Sequence, residues 1–107
     1  MKVNHISDME NGWFIGDFSP TILETTDFEV AVKNHKAGYV EKSHYHKRAT
    51  EVIVVVSGKI SMNDIIYTDG SIITHEPFEV SDFCALTDVT TAVVKFPSLV
   101  EDKYYIK

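Results

Sequence analysis

Seven short runs rich in β-branched and aromatic residues divide this chain at nearly even intervals. They are WFIGDF (13–18), FEVAVKNH (28–35), EVIVVV (51–56), DIIYT (64–68), SIITH (71–75), VSDFCAL (80–86) and TTAVVKF (90–96). Pairs such as Ser57-Gly58, Asn63-Asp64, Asp69-Gly70, Glu76-Pro77 and Thr87-Asp88 fall between them. Such residues supply positive φ or a preset turn, so each pair ends one strand and starts another. No segment repeats apolar residues at helical spacing over a useful length. Many short strands with frequent turns predict an all-β sandwich or barrel. SMNDIIYTDG (61–70) reads as a tight hairpin around Asn63-Asp64. EVIVVV is apolar on both faces. One face is expected to line a barrel and the other to meet a second sheet or a second subunit, which makes a homodimer an expectation.

At 107 residues the chain suits one domain, 1–107, large enough for a true core. Its formal net charge is -6, and its single Arg and scattered Lys form no basic cluster. Phosphate neutralisation drives nucleic-acid binding, so nucleic acid and anionic membranes are poor partners for it. Cys84 stands alone and cannot form an internal disulfide. With no apolar leader or spanning segment, a cytoplasmic location is expected.

Five histidines occur, and two of them fall within HYHKRATE (44–51). On a strand, residues two apart share a face, so His44 and His46 point the same way. Glu51 lies at odd spacing from both and would face away on one unbroken strand. The polar stretch Lys47 to Thr50 can reverse the chain. Glu51 then opens the next strand and can face the same interior. Two imidazoles and a carboxylate are a recurrent donor set for a divalent transition metal such as Fe, Mn, Ni or Zn.

The wider segment GYVEKSHYHKRATEVIVVVSG adds Gly38, six residues before His44, and Gly58, seven after Glu51. Together Gly38, His44, His46, Glu51 and Gly58 resemble the first motif of the cupin superfamily at all five fixed positions. The resemblance implies a double-stranded β-helix, a small jelly-roll barrel, over most of the chain. It also implies His44, His46 and Glu51 as metal ligands. The second cupin motif is expected in DGSIITHEPFEVSDFCAL (69–86), where Gly70 and Pro77 keep the framework and Phe78 replaces a turn glycine. Its histidine is missing. The vacated position falls on Ser81 or, with a one-residue slip, on Asp82. His75 is a further ligand candidate, but it lies before the turn, outside the usual fourth-ligand geometry, and is expected at a strand end or barrel rim, with Glu76 and Glu79 solvated.

Several residues carry packing expectations. Trp13, Phe14 and Phe18 are expected in the core or at a subunit contact. Tyr39 and Tyr67 are expected to pack, with reach to the barrel mouth. Cys84 is expected as a small buried residue. Lys33 and His35 share a strand face; either could line the pocket, with the surface or barrel rim the first expectation. The tail EDKYYIK is expected to order by packing Tyr104 and Tyr105.

Three functions are compatible with these residues: a metal-dependent enzyme on a small molecule, a metal-free binding module for a sugar or carboxylate, and a sugar or sugar-nucleotide isomerase or epimerase. A degenerate site, in which His44, His46 and Glu51 hydrogen-bond one another and a water, is the bland alternative. For the enzyme, Asp82 or Glu79 is the candidate acid or base, and no residue pair identifies the reaction as isomerisation, oxygenation or decarboxylation.

Overall fold

The computed structural model describes residues 1–106. Ten strands run β1 (Trp13–Ile15), β2 (Glu29–His35), β3 (Val40–Tyr45), β4 (Thr50–Ser57), β5 (Lys59–Met62), β6 (Ile65–Thr68), β7 (Ile72–His75), β8 (Ser81–Ala85), β9 (Val89–Phe96) and β10 (Tyr104–Tyr105). They form two five-stranded sheets, ordered β1-β2-β9-β4-β7 and β10-β3-β8-β5-β6. Every strand pair is antiparallel. The core between the sheets takes Ala31, Ile53, Val55, Val89 and Val93 from the first and Ile60, Met62, Phe83 and Ala85 from the second. The turn-punctuated runs predict an all-β sandwich or barrel, and the motif resemblance implies this double-stranded β-helix.

Alternation along β4 sends Ile53 and Val55 into the core, buried, while Val56 on the outer face is exposed. The second sheet therefore packs on the inner face of EVIVVV, and the outer face stays half-buried to exposed. Asn63 and Asp64 join β5 to β6 with φ of 50° and 64°. Two consecutive left-handed residues match the twist of a two-residue hairpin, and Asn and Asp accept that conformation best. Before β1 the chain makes only one 3₁₀ turn, Ile6–Asp8. No helix among the described residues is long and apolar enough to cross a membrane.

The two motif glycines have different physical roles. At Gly58 (φ +101°) a Cβ would sit 2.4 Å from the Asp88 carbonyl oxygen, so both space and φ demand glycine. At Gly38 (φ +92°) a Cβ would meet nothing within 4 Å, and only the backbone conformation demands it.

Candidate metal and ligand site in the barrel

His44 and Glu41 both face the interior although three residues apart on β3. A bulge explains this: Glu41 pairs with Phe83 and His44 with Ser81, so three steps on β3 oppose two on β8. After the bulge, His44 and His46 share the inner side, 6% and 2% exposed, with ring centroids 5.5 Å apart. The chain then reverses through Lys47–Ala49. Asp102 holds that reversal: its carboxylate accepts from the backbone N–H groups of Lys47 (3.2 Å), Arg48 (3.1 Å) and Ala49 (2.9 Å). Burial opposes ionisation of Asp102, but these three donors outweigh it and hold the carboxyl below its ordinary range. The sequence reading passed over Asp102, because a single acidic residue in a tail carries no local motif.

Glu51, second in β4, lies directly across from His75 of β7 and from Lys95 of β9. Cross-strand partners share a face, so Glu51 and His75 both look inward. His75 is 4% exposed and its ring stands 5.4 Å from His46 and 5.9 Å from His44. His75 is the strand-end residue expected, the last of β7, but its side chain is buried in the barrel and not at an open rim. On β8, Ser81 is buried opposite His44 and its hydroxyl donates to the Asp82 carbonyl. Asp82 turns to the β5–β6 hairpin, where it accepts from the Asn63 N–H at 2.7 Å. The position where the second motif would carry histidine is thus Ser81. Phe78, in place of a turn glycine, adopts φ +68°, a strained region for an aromatic residue. Its N–H donates to the His46 carbonyl at 2.7 Å and its ring stacks on Tyr45.

His44, Glu51 and His75 line one cavity together with Lys33, His35, Glu41, Trp13 and Phe83. Its volume is about 50 Å³, room for a few non-hydrogen atoms. Lys33 and His35, expected at the surface or rim, turn inward from β2. Burial pushes the Lys33 ammonium below its ordinary value, against the pull of Glu41 and Glu51. Its Nζ sits 4.8 Å over the Trp13 ring. Trp13 therefore packs on the core and also forms cavity wall. Burial lowers His35 as well, and its ring stacks on Tyr39 at 4.0 Å. Burial disfavours charge on Glu41, but the Lys103 ammonium at 2.8 Å outweighs it and keeps the carboxyl below its usual value. The tail supplies that lysine as β10 adds to β3, with Tyr104 stacked on Tyr45. Cys84 is half-buried rather than part of the core, and it alternates with the core residues Phe83 and Ala85.

The imidazole hydrogen bonds define which nitrogens are free. Nδ1–H of His44 donates to the Lys42 carbonyl at 3.0 Å, leaving the Nε2 lone pair. Nε2–H of His75 donates to the Glu79 carbonyl, leaving the Nδ1 lone pair. Nδ1 of His46 and Nδ1 of His75 are buried with no hydrogen-bond partner. A ring that gives one N–H to a backbone carbonyl and leaves the other nitrogen bare is arranged as metal-binding histidines are. Among the described residues no three His, Cys, Asp or Glu side chains form a closed ion cage as they stand. Three imidazoles on a tetrahedral ion at about 2.0–2.1 Å place their centroids roughly 5 Å apart. The observed centroids stand 5.4–5.9 Å apart, and the bare nitrogens on His46 and His75 with the free Nε2 of His44 are the donor chemistry such an ion takes.

Burial, helped by Lys95, His75 and His44, takes His46 from 6.5 down to about 4. In metal-free protein the unfolded chain binds a proton as pH falls below 6.5, and the folded chain does not until about 4. Stability is therefore lost as pH drops through that window, by roughly 3 kcal/mol in all. Chelator-treated protein should show a falling Tm from pH 7 to pH 4, and His46→Gln should flatten the profile. A wild-type Tm that is level over this range contradicts the assignment.

No protein-family model matches this sequence, nor does any curated protein sequence. Solved structures do match it. A conserved protein with a double-stranded β-helix domain from Klebsiella pneumoniae is 23% identical with a TM-score of 0.68, over 80% of this chain and 76% of that one. A sugar phosphate isomerase of the cupin superfamily from Silicibacter pomeroyi is 19% identical, TM-score 0.60, over 65% and 50%. Pac13, a nucleoside dehydratase from Streptomyces, is 16% identical, TM-score 0.66, over 78% and 71%. The chain shares with these structures the double-stranded β-helix fold.

Proposed function

We propose that this cupin holds a divalent transition metal on His44, His46 and Glu51 and binds, and acts on, a small polar molecule in the adjoining cavity. The observation that carries the reading is the pair of buried imidazole nitrogens without partners, on His46 and His75. Buried polar atoms in native proteins are almost always satisfied, and an ion is one of the few things that satisfies a bare imidazole nitrogen. Glu51 supports it as the oxygen donor, since it faces inward across from His75. A bound ion supplies Lewis acidity to a carbonyl or carboxylate oxygen.

The chain's own residues suggest the ligand class. Lys33 offers a half-buried cation to a carboxylate or phosphate oxygen. Glu41, held ionised by Lys103, accepts hydrogen bonds from hydroxyls. Trp13 gives an apolar face. A hydroxylated small acid or sugar suits this lining, and the isomerase and dehydratase among the structural relatives support that class. The second reading is a metal-free binding or acid–base site, favoured by the lack of a closed donor cage. Its catalytic form would be the sugar isomerase or epimerase. Thermal-shift screening of small carboxylates, sugars and sugar phosphates separates the two. The first reading expects ligand stabilisation that appears only with metal present. Equal stabilisation in chelator-treated protein supports the second.

A homodimer belongs to the same reading. The outer face of the first sheet exposes Val56, Ile72, Val94 and Phe96, an apolar surface that a second copy would cover. The lone Cys84 supports a reducing, cytoplasmic setting.

A further inference from the structure

We propose that His75, on β7, supplies the imidazole that β8 lacks, so that the fourth ligand has moved to the neighbouring sheet. The inference rests on the metal reading above. Ser81 occupies the β8 position opposite His44, and its hydroxyl is spent on the Asp82 carbonyl. His75 reaches the same place from the other side. Its ring completes a triangle with His44 and His46, at 5.9 and 5.4 Å. Its side chain is buried, its Nε2–H is committed to the Glu79 carbonyl, and its Nδ1 is left bare. Nδ1 is therefore the nitrogen His75 offers.

The β7–β8 turn makes this possible. One turn fixes both histidines: the Glu79 carbonyl takes the His75 proton, and the Phe78 N–H holds the His46 carbonyl. Phe78 adopts φ +68° to make that second contact. The exposed Glu79 side chain closes the turn by accepting from the Glu76 N–H at 2.8 Å. A strained residue that tethers two buried histidines at once is the kind of backbone feature that persists when the surroundings require it.

The test uses zinc and ¹⁵N-histidine correlation spectra of the wild-type chain. On adding one equivalent of Zn²⁺, the His75 Nδ1 resonance should move to the metal-bound range while Nε2 stays protonated. Unchanged His75 resonances, with those of His44 and His46 shifted, overturn the inference and leave the metal reading standing. No shift at any of the three overturns both. As a second measurement, His75→Ala and His75→Gln should each weaken zinc about 100-fold in chelator competition; Gln can keep the bond to Glu79. Affinity within about threefold of wild type in the Gln variant also overturns it.

Discussion

His44→Ala or His46→Ala should abolish stoichiometric metal binding, weakening affinity at least about 100-fold. Losing one of three or four protein donors removes a direct bond, and even losing a partner behind such a donor costs about 10–100-fold. Each substitution also leaves a void beside buried neighbours. His46 is fully enclosed, so its truncation should cost about 1–3 kcal/mol of stability in addition. Chelator competition measures the first effect and urea denaturation the second. His5→Ala, in an exposed turn at the N-terminus, is the control and should leave metal affinity unchanged. Parallel loss of affinity in the control would mean that binding is not located in the barrel.

Asp102→Ala should destabilise the fold by about 2–4 kcal/mol, because three backbone donors lose a charged acceptor at once. The effect is large for one residue near the end of a chain. It follows from position: the three N–H groups belong to the reversal between His46 and Glu51, and Ala49 within it is fully buried. Asp102→Asn keeps one oxygen acceptor and should lose about half as much. The pH dependence has a definite sign. The folded carboxyl lies below its ordinary value of 3.8, so its stabilisation is present above that value and is lost as pH falls through the folded one. Urea melts at pH 7 and pH 3 should show the variants differing from wild type less in acid. The reversal also sets the separation of His46 and Glu51, so the Ala variant should bind metal more weakly. A change below about 0.5 kcal/mol in Asp102→Ala would mean that water replaces the carboxylate freely.

The fold was legible because the strand signal is local. Period-two runs and paired turn residues locate most strands without knowledge of the rest, although Val40–Tyr45 and Tyr104–Tyr105 lie outside those runs, and Asn63-Asp64 shows the turn chemistry working as read. His44 and His46 could be placed on one face for the same reason. What escaped depends on contacts far apart in sequence. Glu41 joins His44 at the cavity only through a bulge, which the residue spacing does not show. Lys33 looked like a rim residue because lysine is rarely buried, yet Glu41 and Glu51 from other strands accompany it inward. His75 was assigned to a strand end or rim because its distance from the turn, rather than its cross-strand partner, was the available clue. Ser81 was favoured over Asp82 by register alone, and the pairing with His44 agrees.

The central claim is that the barrel histidines exist to hold an ion, and elemental analysis tests it most directly. The protein is stripped with chelator and reconstituted anaerobically with iron, manganese, nickel or zinc. Loosely held ion is then removed by gel filtration. The account predicts about one equivalent retained per chain for at least one metal, lost when His44 is replaced by Ala. Retention well below one equivalent for all four metals would contradict it.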